Sequence, residues 1–508
     1  MSMLVLLVAL SPIPDNNVKV LGEARLRGGC RLAGPGHLLW SFPGIDDVEC
    51  VAAFADIDGD TVPDVLAESY DAGASGPAHF FCLSGRTGET IWAVWPQGGP
   101  SNSGGWGDQC VSSAPDLNHD GYADAILGTA WGGRTVFAIS GRDGQVLWSY
   151  DTYHDSLGSG WVYSVSPLAD VDGDSVPEVL ATTGSTCQTV FCFSGSDGQI
   201  IWRFTAADAL GSVCAIRDVN GDGYDDVLAG AWGNGTDRHI YCISGHSQGN
   251  QPQILWSFNT QGDVYCVRSI PDINHSGKDD ALASSWSNFV YCLEGGDGSV
   301  IWSANLGADG MRIALLGDIN GDTIPEVSAG SMSYATILLD GRTGQELWRT
   351  AAGGYVWTVD AIGDVNQNGQ PDVVAGSGDG NIYCLEGGSG QVIWNYNTSG
   401  WVNSVRGTAD VNGDLLADAL GGNQFQGSAG YVYCIEGDTL VSALPAERTP
   451  KGRLPGLRPL GVYDVTGRTV GSQVPSDGAL VNGLRPGIYF VVSGDNGNTT
   501  VRKVLVLR

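Results

Sequence analysis

Short apolar runs separated by glycine-rich polar turns recur along most of this 508-residue chain. The seventh unit shows the pattern: TVDAIGDV precedes an acidic loop, DVVAGS follows it, NIYCLEG comes next and QVIWNYN ends the unit. Runs of this length, rich in β-branched and aromatic residues, predict antiparallel strands. Nothing in the repeated region has the pattern of a long helix. Four such strands recurring every 46 to 60 residues, roughly, predict the blade of a β-propeller.

Tryptophan marks the same point in every unit, at the end of phrases such as QVLW, QIIW and SVIW. These residues are Trp40, Trp92, Trp148, Trp202, Trp256, Trp302, Trp348 and Trp394. Each is followed by an acidic loop, whose first aspartate comes sixteen residues later in six of the units. In the second and third units the distance is twenty-four and twenty-two residues, so the connections there are longer. Eight repeats predict eight blades.

The order of the strands predicts how the ring closes. We name the four strands of a unit A to D, with the acidic loop between A and B. The last unit lacks strand D, whereas an extra strand, residues 37–42 (HLLWSF), precedes the first strand A. This N-terminal strand is expected to complete the last blade and so remove open sheet edges. The predicted fold is all-β: an eight-bladed β-propeller over residues 37–437, closed by an N-terminal strand and followed by a small β-sandwich-like C-terminal domain.

The acidic loops share one spacing, with oxygen-bearing side chains at loop positions 1, 3, 5 and 9 and glycine commonly at position 4 or 6. Ca²⁺ takes about six to eight oxygen ligands, and a tight turn can direct several oxygens at one centre. Up to eight structural Ca²⁺ ions are therefore expected. The predicted ligands are Asp56, Asp58, Asp60, Asp64, Asp116, Asn118, Asp120, Asp124, Asp170, Asp172, Asp174, Glu178, Asp218, Asn220, Asp222, Asp226, Asp272, Asn274, Ser276, Asp280, Asp318, Asn320, Asp322, Glu326, Asp364, Asn366, Asn368, Asp372, Asp410, Asn412, Asp414 and Asp418. The alternative is that these Asp and Asn residues only form turns.

The formal net charge of −31 at pH 7 limits the classes of molecule that the protein is expected to bind. An acidic surface repels nucleic acid and anionic membranes, so neither is expected as a partner, and no membrane insertion is expected. Clustered carboxylates would repel each other without a cation, which favours the calcium interpretation. The fifth and seventh loops carry the fewest charges, with Ser276 in one and Asn366 and Asn368 in the other. These two loops are expected to bind most weakly.

Cysteine recurs at fixed places in the repeat, which predicts a small buried hydrophobic residue rather than a disulfide framework. Six occupy one strand position: Cys82, Cys192, Cys242, Cys292, Cys384 and Cys434. Four more, Cys50, Cys110, Cys214 and Cys266, lie on another strand shortly before the acidic loop. A few disulfides in an oxidising compartment stay open as an alternative.

Two resemblances cover roughly residues 38 to 436. The acidic loops with their flanking strands, as in VYSVSPLADVDGDSVPEVLATT (162–183), resemble the FG-GAP and VCBS repeats of integrin-type propellers. The phrases SGRTGETIW (84–92) and DGRTGQELW (340–348) resemble the tryptophan-docking motif of quinoprotein-like propellers. The first resemblance implies structural calcium and roles in adhesion or ligand binding, and the second implies an eight-bladed ring. No residues support carrying over the quinone cofactor.

The two ends of the chain suggest export. Met1–Leu10 (MSMLVLLVAL) is apolar over the length of a signal core, so residues 1–20 are interpreted as a signal segment. Residues 438–459 contain the proline-rich, basic stretch LPAERTPKGRLPGLRP and are interpreted as a linker. Residues 460–508 resemble the sorting domain of type IX secretion, with YDVTGR, PGIYFV and KVLVLR elements. This resemblance implies recognition by the type IX secretion machinery and a secreted protein, free or attached to the cell surface.

A ligand is expected on the face of the ring opposite the acidic loops. Strands alternate in direction, so the D–A and B–C connections share that face, and variable loops on a rigid scaffold are a usual place for function. Aromatic side chains there suit sugar rings, which predicts glycan binding near blades 2 to 5. The candidate residues are Trp106, Trp131, Tyr153, His154, Trp161, Trp232 and Trp286. Each tryptophan could instead simply pack between blades.

Catalysis is less well supported than binding. No nucleophile motif, phosphate-binding glycine loop or paired metal-binding histidines are found, so no catalytic residue is assigned. The chain is interpreted as a secreted binding or adhesion module, expected to be a monomer. Two alternatives stay open. One is a polysaccharide lyase using Tyr153 and His154, and the other is an adhesin that binds a surface protein.

Overall fold

The computed structural model describes residues 3–5, 36–70, 79–94, 109–130, 133–424, 429–437, 461–464, 469–471, 487–495 and 498–506. Within these ranges every regular element is a β-strand. The chain divides into two compact units. One is Gly36–Gly437, and the other combines Met1–Pro35 with Asp438–Arg508. Among the predicted ligand-binding residues, Trp106 and Trp131 lie outside the described ranges.

The larger unit contains eight four-stranded antiparallel sheets, numbered here as blades 1 to 8. Blade 1 comprises β3 (Cys50–Ala53), β4 (Val65–Glu68), β5 (Phe80–Leu83) and β6 (Thr90–Val94), and blade 2 comprises β7 (Val111–Ala114), β8 (Asp124–Gly128), β9 (Thr135–Ile139) and β10 (Val146–Asp151). Blade 3 comprises β11 (Val162–Leu168), β12 (Glu178–Thr183), β13 (Thr189–Phe193) and β14 (Ile200–Thr205). Blade 4 comprises β15 (Leu210–Ile216), β16 (Asp226–Ala231), β17 (His239–Ile243) and β18 (Ile254–Asn259). Blade 5 comprises β19 (Val264–Ile270), β20 (Asp280–Ser285), β21 (Phe289–Leu293) and β22 (Val300–Asn305). Blade 6 comprises β23 (Gly310–Leu315), β24 (Val327–Ser331), β25 (Ala335–Leu339) and β26 (Glu346–Ala351). Blade 7 comprises β27 (Val356–Ile362), β28 (Asp372–Ser377), β29 (Asn381–Leu385) and β30 (Val392–Asn397). Blade 8 comprises β31 (Trp401–Thr408), β32 (Asp418–Gln424), β33 (Tyr431–Ile435) and β2 (Leu38–Pro43).

The ring closes as the strand order predicted. The N-terminal strand β2 pairs antiparallel with β33, from Leu38 opposite Ile435 to Pro43 opposite Tyr431. Blade 8 is therefore assembled from both ends of the repeated region, and no open edge separates it from blade 1. The eight-bladed all-β fold predicted from the sequence is confirmed.

Burial follows the position of each strand within its blade. Strand B is buried along its whole length in every blade except the last residue of β32, because both of its faces meet neighbouring blades. Strand D alternates between exposed and buried positions, as in β18, where Trp256 is the buried residue. The hydrophobic clusters join adjacent blades, so the core lies between the sheets.

The repeated tryptophans connect each blade to the next. In seven of the eight, the indole Nε1 donates a hydrogen bond of 2.6 to 2.9 Å to a glycine carbonyl in the C–D turn of the following blade. Trp256, for example, donates to Gly295 at 2.6 Å. Trp394 differs, because its Nε1 has no hydrogen-bond partner among the described residues. Its ring instead packs against Gly36, just before the closing strand.

Around the axis, the inner strands A of neighbouring blades are also tied together. The hydroxyls of Ser164, Ser212 and Ser404 each accept a hydrogen bond from a backbone N–H of another blade's strand A, at 3.1 to 3.2 Å. Ser404 of blade 8 accepts from Val51 of blade 1, so this connection spans the ring closure. Hydrogen bonds between inner strands thus reinforce the ring at three of its junctions, including the closure.

The described cysteines are free thiols, and all but the half-buried Cys214 are buried. On the C strands each repeated cysteine lies opposite a tryptophan of strand D, as Cys292 lies opposite Trp302. Burial raises the pKa of the Cys292 thiol well above its usual value. These residues fill the space of small hydrophobic side chains, as the sequence predicted.

The smaller unit contains one five-stranded sheet in the order β1, β37, β36, β34, β35. Its strands are β1 (Met3–Val5), β34 (Gly461–Asp464), β35 (Thr469–Gly471), β36 (Gly487–Asp495) and β37 (Asn498–Val506). Strand β1, which lies in the stretch interpreted as a signal segment, pairs in parallel with β37. Among the described residues, no helix combines the length and the apolar character needed to cross a bilayer.

Candidate functional site

In each blade, one residue at the start of the inner strand or just before it points toward the axis of the ring, on the face opposite the acidic loops. It lies seven residues before the first Asp of each loop. We call these eight residues the axial residues: Glu49, Gln109, Tyr163, Gly211, Tyr265, Met311, Trp357 and Asn403. In blades 3 to 8 the ladder between strands A and B shifts register at this position, as between Val162 and Ser164 around Tyr163. Such a β-bulge changes the direction of a side chain, and here it directs the axial residue into the opening.

The axial position is variable in a repeat that is otherwise regular. Its eight residues are of seven different types. Two residues further along, the equivalent position is Val in seven blades and Ile in blade 6 (Val51 and Ile313 are examples). The side chain at the Val position is buried and packs in the core of the ring, which restricts the residue type there. The axial side chain faces the opening, so core packing does not restrict its type.

The axial residues surround a cavity of about 340 Å³ at the mouth of the ring. A second set of side chains, most of them located where strand B leads into the B–C turn, completes the wall. This set is Trp232, Trp286, Met332, Trp401 and Gln424. The backbone N–H groups of Trp232, Trp286 and Met332 donate to carbonyls of strand A or its preceding turn at 2.7 to 3.0 Å, which fixes them beside the axial residues.

Aromatic rings form most of the wall, and small residues make room for them. Tyr163 and Trp232 meet edge to face with centroids 5.3 Å apart, and Trp232 meets Trp286 in the same way at 5.9 Å. In blade 4 the axial residue is Gly211, and a Cβ there would lie 3.0 Å from the Cβ of Trp232. In blade 3 the arrangement is reversed, because any side chain at Gly184 would collide with the ring of Tyr163. In these two blades a glycine at one lining position therefore makes room for an aromatic ring at the other.

Three residues of the cavity wall carry buried hydrogen-bond donors. The indole Nε1 atoms of Trp286 and Trp357 and the amide Nδ2 of Asn403 have no partner among the described residues. An unsatisfied buried donor is costly, by about 1–3 kcal/mol. Because the three atoms are shielded from solvent, they lie within the wall and not on the cavity surface. A concave, mostly apolar pocket with a few convergent polar groups is the usual form of a small-ligand site.

The structure separates the residues that the sequence predicted for this face. Trp232 and Trp286 line the cavity. Tyr153 and Trp161 lie beside it under the guanidinium of Arg134, at 5.0 and 5.5 Å from their ring centroids. His154 is exposed, and its Nδ1 lies 2.7 Å from a carboxylate oxygen of Asp151.

The sequence interpretation missed most of the axial residues, including Glu49, Tyr265 and Asn403. The signal that could have revealed them is the variability of one position among eight otherwise similar repeats. The acidic loops, by contrast, could be recognised from the sequence because their residues are alike in all eight repeats.

On the opposite face, the acidic loops form a repeated network of turn hydrogen bonds. In the first loop, the carboxylate of Asp56 accepts from the backbone N–H groups of Gly59, Asp60 and Thr61 at 2.8 to 3.1 Å. The buried carboxylate of Asp64 accepts from Ile57 at 2.7 Å and from Gly85 of the C–D turn at 3.0 Å. The position 1 and position 9 carboxylates therefore shape the loop directly, as the turn-forming interpretation expects.

Loop position 9 holds a buried carboxyl group in all eight blades. Burial raises the pKa of Asp64 to about 6, of Glu178 to about 7 and of Asp418 to about 8, although backbone N–H groups partly oppose the shift. Burial likewise raises the pKa at this position in the other five loops, at Asp124, Asp226, Asp280, Glu326 and Asp372. The ionised form is thus disfavoured at this position unless positive charge is nearby.

Several features of the loops fit a cation. Asp56, Asp58 and Asp64 place carboxylate oxygens within 4.8 Å of one another, and Asp170, Asp172 and Glu178 do the same in the third loop. In the sixth loop, Oε1 of Glu326 is buried without a partner among the described residues. Oxygen ligands at this density suit Ca²⁺.

Protein charges also act on two of the loops. Arg86 Nε lies 2.6 Å from Asp60 Oδ2 in the first loop, and Arg342 Nε lies 2.9 Å from Asp322 Oδ2 in the sixth. Both arginines come from the C–D turn of the same blade. Repulsion among carboxylates is therefore relieved in part by the chain itself, which the sequence interpretation did not anticipate.

These features define an eight-bladed β-propeller whose blades are joined by docking tryptophans, in agreement with the quinoprotein-like resemblance. Residues 175–365 match the profile of a family described as outer membrane protein assembly factor BamB. No curated protein matches the chain.

Two solved structures align with most of this chain at low sequence identity. The computationally designed protein Ika8 is 14% identical, with a TM-score of 0.52 over 78% of this chain and 100% of its own. BamB from Moraxella catarrhalis is 17% identical, with a TM-score of 0.48 over 78% of this chain and 97% of its own. The similarity to Ika8 extends to the fold alone.

Proposed function

We propose that this chain is a secreted binding module that captures glycans in the central cavity. The observation that carries the proposal is the cavity itself, to which each blade contributes one variable residue on an otherwise regular scaffold. Aromatic rings offer flat apolar surfaces to the C–H faces of sugar rings.

The size of the cavity suits a short oligosaccharide or the end of a longer one. A volume of about 340 Å³ is at the lower end of the range for small-ligand pockets. The half-exposed ring of Trp401, 48% accessible, stands among the lining residues and is available to stack on a second sugar unit. The half-buried Tyr153 and the exposed His154 have no role in this proposal.

Calcium in the acidic loops is the second part of the proposal. Its role would be structural, because the loops lie on the face opposite the cavity. The carboxylate clusters of the first and third loops and the unpartnered oxygen of Glu326 support it. Export through the type IX machinery, with residues 460–508 as the signal, is the third part and rests on the sequence resemblance.

A glycan panel probed with the full purified chain tests the binding proposal. Trp401→Ala removes a half-exposed lining ring with little expected effect on folding. Leu415→Ala is the matched control, because Leu415 is 61% exposed in the acidic loop of the same blade, on the other face. We expect wild type and Leu415→Ala to bind the same glycans and Trp401→Ala to bind them at least about tenfold more weakly. Equal binding by all three proteins would exclude this cavity.

A protein partner is the second candidate, favoured by the match to a family described as an assembly factor. The same variants separate the two functions. If no glycan on the panel binds the folded wild-type chain, pull-down of surface proteins with wild type and Trp401→Ala becomes the discriminating experiment.

A further inference from the structure

Charge is distributed unevenly among the residues that line the cavity. Glu49 is the one ionisable acid or base in the described lining apart from the tyrosines, and it is only 8% exposed. The other lining residues are aromatic, or are Met, Gly, Asn and Gln. A carboxylate in a cavity lined mainly by aromatic rings favours a region of negative potential, because the face of an aromatic ring is itself negative.

The same sign of charge continues at the outer end of the inner strands. Among the described residues of the three that end at each axial residue, there are four acidic side chains and no basic one. These are Asp47, Glu49, Asp263 and Asp309. Burial, and to a lesser extent the neighbouring Asp263, raise the pKa of Asp309.

Basic residues of the inner strands lie further along, toward the acidic-loop face. Arg268 and Arg406 each come three residues after an axial residue, and Arg312 directly follows Met311. The guanidinium of Arg268 donates to the carbonyl of Val267 at 2.9 Å, and that of Arg406 to Val405 at 2.6 Å. None of the three is part of the cavity wall. Arg134, on the cavity face, covers Tyr153 and Trp161, which are also outside the wall.

We infer that the cavity selects a protonated amino sugar, a hexosamine whose amine is not acetylated, over neutral and acidic sugars. The inference rests on the proposed glycan-binding function and specifies its ligand. A primary ammonium could contact the carboxylate of Glu49 while the faces of Trp357 and Trp401 pack against the same sugar. Cation–π contacts contribute about 0.5–2 kcal/mol each, and the larger values apply at desolvated sites. A uronic acid would place a second negative charge beside Glu49.

N-acetylation provides a sharp comparison because it changes one group. It removes the positive charge, adds bulk and leaves the sugar ring available for stacking. A charged hydrogen bond contributes about 1.5–3 kcal/mol, which corresponds to roughly a 10- to 150-fold change in affinity. The amine form is therefore expected to bind at least about tenfold more tightly than the acetylated or the neutral form.

The experiment titrates the full chain with glucosamine trisaccharide, its N-acetylated form and cellotriose, followed by calorimetry and tryptophan fluorescence at a pH that protonates the amine. Glu49→Gln is the test variant. Glu89→Gln is its matched control, because Glu89 is exposed on the opposite face of the same blade and the change in net charge is identical. We expect wild type and Glu89→Gln to prefer the amine form, and Glu49→Gln to bind all three sugars within about threefold of one another.

The wild-type titrations remain decisive even if Glu49→Gln fails to fold. A preference for the amine that weakens between low and high salt supports the inference, since it indicates an ion pair. Equal wild-type affinity for the three sugars would overturn the amino-sugar inference and leave glycan binding intact. Failure of wild type to bind any glycan of the wider panel would instead overturn the proposed function itself.

Discussion

The contribution of the docking tryptophans to stability can be measured with one pair of substitutions. Trp256 and Trp394 are both buried, at 7% and 4% exposure, and both lie between blades. Trp256 donates to the Gly295 carbonyl at 2.6 Å, whereas Trp394 Nε1 has no partner among the described residues. Replacing each by Phe removes the same atoms, but only Trp256→Phe breaks a hydrogen bond between blades.

The expected difference follows from the carbonyl that is left behind. Trp256→Phe leaves the Gly295 carbonyl without its donor in a buried turn, which costs about 1–3 kcal/mol. The loss of packing from the smaller ring is common to both variants. We therefore expect the free energy of unfolding to fall by about 1–3 kcal/mol more for Trp256→Phe than for Trp394→Phe.

Urea unfolding followed by far-UV circular dichroism measures this difference without relying on tryptophan emission. Trp302→Phe serves as a replicate, because Trp302 is also 7% exposed and donates to Gly341 at 2.9 Å. Equal destabilisation of the three variants, within about 0.5 kcal/mol, would refute the view that these hydrogen bonds stabilise the ring.

Three further predictions concern the acidic-loop face. Leu415 has a φ of 76° and is 61% exposed, so Leu415→Gly should raise the unfolding free energy by about 0.5–1 kcal/mol in urea denaturation, and a loss of stability would contradict this. Calcium added to chelator-treated protein should raise the melting temperature, and Asp58→Asn should reduce that shift; an unchanged melting temperature in wild type would argue against calcium binding. In chelator, the raised pKa values of Glu178 and Asp418 mean that the folded state holds protons the unfolded state has lost, so stability should fall as pH rises from about 5 to 8. Unfolding midpoints across that range check the sign, and a rise with pH would contradict it.

Most of the fold could be predicted because the chain repeats one phrase eight times. A missing last strand and an extra first strand were enough to predict the pairing of β2 with β33. The docking tryptophans could be recognised as a repeat. Their hydrogen bonds to glycine carbonyls could not be predicted, because they join residues of different blades.

The ligand cavity could not be predicted in the same way. Its lining combines the axial position with a position after strand B, and the repeat pattern hides both because their residues differ from blade to blade. The β-bulge that directs Tyr163 or Trp357 toward the axis leaves no mark in the order of apolar and polar residues. The net charge around each acidic loop could not be predicted either, because the ion pair between Arg86 and Asp60 forms only when the C–D turn is folded.

Methionine methyl NMR tests the central claim, that ligand binds within the ring of axial residues, most directly. The chain has four methionines, and two of them, Met311 and Met332, line the cavity. With ¹³C-methyl methionine and assignment by Met311→Leu and Met332→Leu, a glycan that binds by calorimetry should shift the signals of both. Saturating glycan that leaves Met311 and Met332 unshifted would show that binding occurs elsewhere and would contradict the assignment of the cavity.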